Sequence, residues 1–401
     1  MGGGHLAARP WGLYVHVPFC PYKCDYCDFV AVGGGTRVAR WHTPYAEAVT
    51  REAAHWMATL APASPPVSIF YGGGTPTMLG AERLASLHTA LVRRCGLTAG
   101  AEVTVECNPG TVDLAGLRTL RAAGVNRLSI GLQAMQDTLL LALNRRHTAA
   151  EFLAAYQAAR TAGFRNISVD LMLALPGQSL ANFAVGLDQV LALGPEHLSA
   201  YALQVEEGTP FFARARRGQL ALPGEDADAA AFALCRARLI AAGYEHYEIS
   251  NFALPGHRCR HNLLYWHDAD YLGLGIGAHS HWQGWRWANT DRLAVYCAEP
   301  PAGAPEERLP PQGALAPWVA WQEAVDEARA RSEGAFLGLR LLDGLDEDAY
   351  ARRYGIALRA AFPGVVERLL ARGLLQEAPP RRLRLASDAV AIANRVFAEF
   401  V

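Results

Sequence analysis

Short β-rich runs alternate with helical segments through the first two hundred residues of this 401-residue chain. Strands that alternate with helices favour βαβ units and a parallel sheet. Six such units predict an α/β fold built as an open, partial (β/α)6 barrel, with a doubly wound sheet as the alternative. The strands are expected at 13–17, 67–71, 102–105, 127–130, 167–171 and 197–203, and the helices between them at 44–60, 82–94, 113–123, 149–162 and 180–193.

Candidate polar residues follow the predicted strands at the point where each strand ends. A cysteine-containing loop follows the first strand, the glycine run 72–76 follows the second, and Glu106 follows the third. Gln133 follows the fourth strand, and Asp170 falls near the end of the fifth. In β/α barrels, functional residues gather at the carboxyl ends of the strands. We therefore expect all of these groups on one rim of the barrel.

The cysteine loop holds Cys20, Cys24 and Cys27 in a C-x3-C-x2-C spacing that is followed by an aromatic residue. A [4Fe–4S] cluster normally takes four cysteine ligands, so three thiolates leave one iron open. This spacing is the hallmark of the radical S-adenosylmethionine (SAM) enzymes, which the chain resembles. In those enzymes the open iron chelates the amino and carboxylate groups of SAM. A structural zinc site is the alternative, but such sites usually take two pairs of ligands, and the sequence has no second C-x-x-C pair.

The residues of the rim each have more than one interpretation. The run 72–76 suits the methionine part of SAM, because glycine lets a backbone approach a ligand closely. A phosphate loop is disfavoured because G-x-x-x-x-G-K-[ST] is absent, and a plain tight turn is the third interpretation. Arg145 suits the SAM carboxylate or a solvated helix end. Glu106, Gln133 and Asp170 suit the ligand's ammonium and ribose groups, or are ordinary strand-end residues.

The motif from Tyr14 to Cys20, together with the run 72–76, is similar to the oxygen-independent coproporphyrinogen III oxidase family. The similarity extends to the segment 336–340 near the C-terminus. It implies a [4Fe–4S] cluster on the three cysteines, and it implies that Tyr26 stacks near the SAM adenine. It further implies SAM contacts from Tyr14, Gly73, Gly74, Thr75, Glu106, Gln133, Arg145 and Asp170.

Three features separate the chain from the oxidase itself. The oxidase has a fourth cysteine where this chain has Phe29, and the thirteen residues before Tyr14 are fewer than the oxidase's N-terminal arm needs. The segment 260–266 contains H-N-x-x-Y-W, which resembles the signature of the HemW-type haem chaperones. This resemblance implies that haem is the cargo. His261, which lies near aromatic residues, could serve as an axial ligand of the haem iron. The other interpretation is that His261 is a structural histidine held by hydrogen bonds. The rival ligands are His257, His267, His279, His281 and Cys259.

These resemblances imply a haem chaperone that binds a [4Fe–4S] cluster and SAM and delivers haem to haem-requiring proteins, membrane-bound respiratory enzymes among them. The alternative is an oxygen-independent coproporphyrinogen III oxidase, which leaves open whether the chain is an enzyme. The net charge of −1 gives no field that favours nucleic acid. The chain has no signal-peptide core and no apolar run of about 18 residues, which predicts a cytoplasmic protein, at most peripheral at a membrane, and a monomer or dimer. The remaining cysteines are expected to be small buried hydrophobic residues: Cys95, Cys107, Cys235, Cys259 and Cys297.

The chain is expected to divide into a radical SAM core with its extension, residues 1–300, and a C-terminal part, residues 301–401. A linker rich in Pro, Ala and Gly is expected at 299–317. A helix at 317–333, a second helix that opens at Asp346 and a strand at 383–385 predict a small winged-helix-like α+β domain. From Trp318 to the end, 12 arginines balance 12 acidic residues, so this domain is expected to be a lid or docking module and not a DNA-binding one.

Overall fold

The computed structural model describes residues 9–298 and 316–401. These residues form two compact units. The first comprises 9–130, 150–165, 269–298 and 316–324, and the second comprises 131–149, 166–268 and 325–401. The linker expected at 299–317 lies outside the described residues, apart from its last two positions.

The strands are β1 (Trp11–Val17), β2 (Phe19–Cys20), β3 (Val32–Gly33), β4 (Ser68–Gly73), β5 (Glu102–Cys107), β6 (Arg127–Gln133), β7 (Ile167–Leu173), β8 (His197–Ala202), β9 (Glu245–His246), β10 (Asn251–Ala253), β11 (Asp270–Leu274), β12 (His279–Trp282), β13 (Trp285–Asn289), β14 (Val319–Ala324), β15 (Leu345–Asp346), β16 (Leu375–Ala378) and β17 (Arg382–Leu385). The α-helices are α1 (His42–Leu60), α2 (Ala81–Cys95), α3 (Leu114–Ala123), α4 (Asp137–Ala142), α5 (Ala149–Thr161), α6 (Leu180–Leu193), α7 (Pro210–Arg216), α8 (Glu225–Ala241), α9 (Arg260–Trp266), α10 (Leu293–Cys297), α11 (Glu327–Gly338), α12 (Glu347–Tyr354), α13 (Leu358–Ala361), α14 (Val365–Ala371) and α15 (Ala393–Phe397). Short 3₁₀ segments occupy Gly35–Trp41, Pro76–Leu79, Ser387–Ile392 and Ala398–Phe400.

The alternation of strands and helices expected in the first two hundred residues is confirmed. Each of the six strands and five helices is present, and no end differs from the expected one by more than three residues. The helices end where the sequence offers a turn: Gly124 has a φ of +112°, and its N–H bonds back to Arg121 and Leu120. Within these two hundred residues the expectation missed α4, which is only six residues long.

The sheet of the first unit is centred on β1. Strand β1 pairs in parallel with β4 on one side and with β11 on the other, and β5 and β6 continue the parallel order beyond β4. Strands β12, β13 and β14 extend the β11 edge in antiparallel order. Six of the seven residues of β1 are buried, as is typical of a strand that is covered on both faces.

The helix expected at 317–333 is wrong in its first part. Residues Val319–Ala324 form β14, which pairs with β13 through Ala288 opposite Trp321. The helix begins only after Asp326, whose carboxylate accepts from the backbone N–H of Arg329 at 2.8 Å. Valine and tryptophan favour an extended strand where a partner strand is available, and only the folded chain supplies that partner.

The second unit combines a small mixed sheet with the C-terminal domain. Strands β7 and β8 are parallel, and β10 and β9 follow in antiparallel order. The C-terminal residues form α11 to α15 and the antiparallel sheet β15-β17-β16, with Leu339, Leu369 and Val396 fully buried in one apolar cluster. This is the expected small α+β domain. Among the helices of the described residues, none combines the length and the apolar character that crossing a bilayer demands.

Candidate functional site

The three cysteines lie in a loop that leaves the carboxyl end of β1. After Pro18, strand β2 carries Cys20 and pairs in parallel with β3, with Cys20 opposite Gly33. A bond from the N–H of Val32 to the Pro18 carbonyl, 2.7 Å long, closes the base of this loop. Inside it, the N–H of Cys27 donates to the carbonyl of Cys24 at 3.2 Å. The backbone therefore holds Cys24 and Cys27 on one turn and fixes Cys20 at the base.

The donor set of this loop fits the group that the sequence implies. None of the three cysteines is in a disulfide, and all three are half-buried. Burial raises the pKa of the Cys27 thiol, and the Phe29 amide opposes this rise. No three His, Cys, Asp or Glu side chains within residues 9–298 and 316–401 converge as the ligands of one metal ion would. A cubane does not require such convergence because each thiolate binds a different iron, so three soft sulfur donors in one loop suit a [4Fe–4S] cluster.

The glycine run packs against the strand that leads into the cysteine loop. Gly73 has a φ of +102°, and a Cβ atom there would lie 2.4 Å from the ring of His16. A Cβ atom on Gly74 would lie 2.6 Å from the carbonyl carbon of Pro18. Distances below 3.0 Å are sterically forbidden for a real Cβ atom. These two glycines thus let the end of β4 contact β1 directly, a close approach inside the protein rather than toward a ligand.

The amides of the glycine run are engaged within the protein. The N–H of Gly73 donates to Oε2 of Glu106 at 3.2 Å. The N–H of Gly74 donates to the Val17 carbonyl at 2.9 Å, and that of Thr75 donates to the Phe19 carbonyl at 2.8 Å. Since the donors of this segment are used in this way, its carbonyl oxygens are the backbone groups suited to a ligand, and carbonyl oxygens bind ammonium groups.

Tyr14 and His16 form a chain with a defined proton order. His16 Nε2 lies 2.7 Å from the carbonyl oxygen of Val30, which can only accept, so Nε2 carries the proton. Burial lowers the pKa of His16, so its ring is neutral and Nδ1 accepts. The Tyr14 hydroxyl, 3.2 Å from Nδ1, is therefore the donor. Burial and then the charge of Glu106 raise the pKa of Tyr14, so the phenol keeps its proton. Its oxygen is left with acceptor character.

Glu52, on α1, is a buried charge that the sequence analysis did not single out. It is fully buried and accepts from four donors: the Trp56 indole N–H at 3.2 Å, the Gly275 amide at 2.9 Å, the Asn289 amide at 2.6 Å and the Tyr296 hydroxyl. Burial raises the pKa of Glu52 to about 7, while its hydrogen bonds act in the opposite direction. The only sign of this site in the sequence is an acidic residue on the apolar side of a helix. The hydrogen-bond partners of Glu52 other than Trp56 lie more than two hundred residues away in the chain, so no local pattern contains them.

Tyr45 connects this carboxylate region to the strand that carries the cysteine loop. Its hydroxyl donates to the His16 carbonyl at 2.6 Å and accepts from the Ile276 amide at 3.1 Å. Asn289 also donates to the Gly275 carbonyl at 2.8 Å. Helix α1 thus fixes the residues that follow β11 against the end of β1, next to the cysteine loop.

Three of the expected SAM residues belong to the second unit. Gln133 ends β6 with a φ of +72°, is buried, and accepts from the Tyr201 hydroxyl at 3.0 Å. Arg145 is buried and donates to the carbonyl of Gly131. Asp170 was expected near the end of its strand, but β7 continues for three residues beyond it, so Asp170 lies in the middle of the strand and is half-buried. Tyr26 lies in the cysteine loop of the first unit and is half-buried.

His261 lies on α9 and is only 1% exposed. Its Nε2 atom is 2.9 Å from the Tyr265 hydroxyl, one helical turn away, and the two rings meet edge to face. A haem iron could bind this nitrogen only after that hydrogen bond breaks. Of the rival ligands, Cys259 is buried, His281 is 6% exposed, and His279 is exposed.

The end of α9 is held by the C-terminal domain. The Arg340 guanidinium stacks on the Trp266 ring, 4.4 Å from its centroid. Arg353 donates to the carbonyl of Asp268 and pairs with its carboxylate, which also accepts from the Tyr354 hydroxyl at 2.8 Å. The H-N-x-x-Y-W segment is therefore a clamped element of the second unit rather than an open surface loop.

Phe29 and the five cysteines outside the cysteine loop differ in their exposure to solvent. Phe29 is 60% exposed, which is unusual for a phenylalanine and follows from its place in the cysteine loop. Of the scattered cysteines, Cys95, Cys107, Cys235 and Cys259 are buried as expected, whereas Cys297 is only half-buried.

Comparison with known proteins defines the class. The radical SAM superfamily model matches residues 14–188, and the HemN C-terminal domain model matches residues 325–385. The structure of coproporphyrinogen III oxidase (HemN) from Escherichia coli, a radical SAM enzyme, covers 98% of this chain and 90% of its own, with a TM-score of 0.80 at 23% identity. At that identity the likeness establishes the fold alone. Residues 14–188 therefore carry a radical SAM domain, and the chain has the fold of a radical SAM protein.

Relatives that align along the whole chain narrow this class. The heme chaperone HemW of Bacillus subtilis is 34% identical over 97% of this chain and 98% of its own length. The heme chaperone HemW of Mycobacterium tuberculosis is 38% identical over 96% of this chain and 95% of its own length. The chain belongs to the HemW family. This confirms the resemblance drawn from H-N-x-x-Y-W and from the motif that leads into the cysteine loop.

Proposed function

We propose that this protein binds haem and delivers it to haem-requiring proteins. The proposal rests on the similarity to heme chaperones along nearly the whole chain. The alignment with the Bacillus subtilis protein, at 34% identity, covers 97% of this chain and 98% of that protein. A shared segment would support only a shared module, whereas collinear similarity from the cysteine loop to the C-terminal domain supports a shared activity.

We further propose that Cys20, Cys24 and Cys27 hold a [4Fe–4S] cluster. When bound, the cluster supplies a low-potential electron and one open iron site for SAM. The SAM contacts proposed are Tyr14, Tyr26, Gly73, Gly74, Thr75, Glu106, Gln133, Arg145 and Asp170.

The geometry of the first unit supports distinct roles for these groups. The oxygen of Tyr14 accepts, since its proton is directed to His16, and an acceptor suits the ammonium of SAM. Because the amides of the glycine run are bonded within the protein, the run would contribute carbonyl oxygens. Glu106 orients the run through Gly73 and adds negative charge next to Tyr14. Arg145, which belongs to the second unit, is proposed for the SAM carboxylate on the chemistry of its guanidinium group alone.

His261 is proposed as the haem ligand. For His261 to bind the haem iron, α9 must first be released from its contacts with the C-terminal domain. The burial of His261 and its bond to Tyr265 block the iron-binding nitrogen, and Arg340 and Arg353 hold the end of the helix. Haem uptake through His261 would therefore accompany loosening of the α9 contacts with the C-terminal domain. Release to a recipient would reverse this change.

The competing function is oxygen-independent coproporphyrinogen III oxidation. The fold of HemN, shared at a TM-score of 0.80, is compatible with this activity, but a shared fold does not imply a shared function. The exposed Phe29, at the place where the oxidase resemblance calls for a fourth cysteine, opposes it. Decarboxylated, vinyl-bearing product from coproporphyrinogen with reductant and SAM would support the oxidase, and its absence beside intact haem binding would support the chaperone.

Anaerobic reconstitution followed by haem titration tests the chaperone proposal. A stoichiometric Soret shift, and subsequent loss of haem to an apo-form haem enzyme, are the expected results. A protein with a full cluster but no Soret shift would reject the proposal.

A matched pair of variants tests the ligand. His261→Ala should change the Soret maximum and the low-spin bands. His88→Ala should not, although His88 is equally buried and makes the same kind of bond, 2.9 Å to the Tyr71 hydroxyl. Identical haem spectra for wild type and His261→Ala would reject His261 and leave haem binding in place.

The proposed setting is the cytoplasm, with peripheral contact at the membrane where respiratory recipients reside. Co-sedimentation of haem-loaded protein with membranes that contain an apo-form respiratory enzyme, and not with bare lipid vesicles, is the expected result.

A further inference from the structure

We propose that Thr75 and Asn108 form a positioning pair that directs a hydroxyl hydrogen bond onto the sulfur of Cys20 and thereby raises the reduction potential of the cluster. This inference rests on the proposed [4Fe–4S] site. It assigns to Thr75 a role toward the cluster, besides any contact with SAM, and it assigns a role to Asn108.

The first step is the distance between the hydroxyl and the sulfur. Thr75 Oγ1 lies 3.6 Å from Cys20 Sγ, within the range of a hydrogen bond to sulfur. Thr75 is fully buried, so water does not compete for its hydroxyl. Its backbone N–H donates to the carbonyl of Phe19, the residue before Cys20, at 2.8 Å. The backbone thus fixes Thr75 beside the cysteine that its side chain faces.

The second step is the direction of the proton. The side-chain nitrogen of Asn108 lies 2.8 Å from Thr75 Oγ1, and an amide nitrogen can only donate. The Thr75 oxygen therefore accepts from Asn108, which leaves its own proton for another acceptor. A cysteine sulfur bound to iron carries no proton and can only accept. The Thr75 hydroxyl accordingly donates to Cys20.

The third step is the anchor of Asn108. The Thr111 hydroxyl donates to the carbonyl of Asn108 at 2.6 Å and lies 3.3 Å from its N–H. Since the Thr111 proton is used there, the Thr77 hydroxyl, 2.7 Å away, donates to Thr111. Thr77 thus donates to Thr111, the Thr111 hydroxyl donates to the Asn108 carbonyl, and the Asn108 side chain donates to Thr75. The backbone N–H of Asn108 donates back to the Thr111 hydroxyl oxygen, which closes a local ring that holds Asn108 in place.

The consequence follows from charge. A reduced cluster carries one more negative charge than an oxidised one, so a hydrogen bond to its sulfur stabilises the reduced state more. The low dielectric of a buried site strengthens this difference. Removal of the donor should therefore shift the midpoint potential to a more negative value without loss of a cluster ligand.

The test is an anaerobic redox titration of the cluster, followed by electron paramagnetic resonance, in the reconstituted full chain without SAM. Thr75→Val keeps the shape and removes the hydroxyl, and Thr75→Ser keeps the hydroxyl. We expect a more negative midpoint for Thr75→Val at unchanged iron and sulfide content, and a midpoint close to wild type for Thr75→Ser. Asn108→Ala should shift the midpoint in the same direction as Thr75→Val, because the Thr75 hydroxyl loses its orientation.

A matched control is Thr104→Val. Thr104 is another buried threonine, on β5, and its hydroxyl has no hydrogen-bond partner in the described chain. Its loss should leave the midpoint unchanged. An unshifted midpoint in Thr75→Val with a full cluster would overturn the inference. If Thr75→Val fails to hold iron, the Asn108→Ala midpoint decides: a negative shift supports the inference, and a wild-type value overturns it. A wild-type protein without a cluster would instead refute the proposed cofactor site.

Discussion

The carboxyl group of Glu52 makes the stability of this protein depend on pH in a way that one substitution should remove. Burial raises the pKa of Glu52 from its ordinary 4.5 to about 7, despite four hydrogen bonds that favour the charged form. The folded state therefore binds this proton more tightly than the unfolded state does. The resulting stabilisation is complete below pH 4.5 and is lost as the pH rises through 7.

The size of the effect follows from the shift in pKa. A rise from 4.5 to about 7 is a shift of about 2.5 units, and each unit corresponds to ~1.4 kcal/mol, so ~3.5 kcal/mol of stability depends on this proton. The neighbouring Tyr45 and Tyr296 do not contribute in this range, because burial raises the pKa of each well above 10. Glu52→Gln keeps the shape of the protonated side chain but cannot titrate.

The assay is urea unfolding at pH 5, 6, 7 and 8, followed by the fluorescence of Trp56 and Trp287, whose rings pack 4.7 Å apart. The difference in unfolding free energy between wild type and Glu52→Gln should fall by ~2.5 kcal/mol from pH 5 to pH 8, because part of the stabilisation is already lost at pH 5. Glu47→Gln, which removes an exposed carboxylate from the same helix, should leave the wild-type profile unchanged. Parallel profiles for wild type and Glu52→Gln would refute the reasoning.

Three further predictions concern the cysteine loop, α9 and the core. Cys24→Ser should sharply lower the iron content after anaerobic reconstitution, whereas Cys235→Ser, at a fully buried position on α8, should not. Arg340→Ala removes the cation stacked on Trp266 and should cost ~2 kcal/mol, seen as faster amide hydrogen exchange in α9. An unchanged exchange rate there would contradict the clamp. Thr104→Val should leave the unfolding free energy unchanged or raise it by up to ~1 kcal/mol, because it removes a buried hydroxyl that has no partner in the described residues.

The sequence was sufficient to predict that the cysteine loop, the glycine run and Glu106 lie together. The strands that precede them are strongly apolar, and parallel strands of a barrel end on the same face. In the first unit, the bonds from Thr75 to Cys20 and from Gly73 to Glu106 confirm that proximity. The sequence attributed these glycines to a close approach of SAM, whereas in the structure they make room for His16 and Pro18. A local sequence pattern does not show which neighbouring residue would clash with a Cβ atom at a glycine position.

The local sequence also led to a wrong prediction for β14. The residues of β14 were expected to be helical, because a polar edge strand lacks the alternation that marks a half-buried one. Pairing with β13 overrides that weak preference.

The spacing of three cysteines and the alternation of strands with helices were determined by the sequence itself, because both depend on residues close together in the chain. The tertiary structure decided where protons and charges go. Thr75 directs its hydroxyl to Cys20 only because Asn108, 33 residues further along, donates to it. Glu52 is charged or neutral according to donors that lie as far as 244 residues away. Hydrogen-bond direction and desolvation depend on three-dimensional neighbours, and a linear pattern does not contain them.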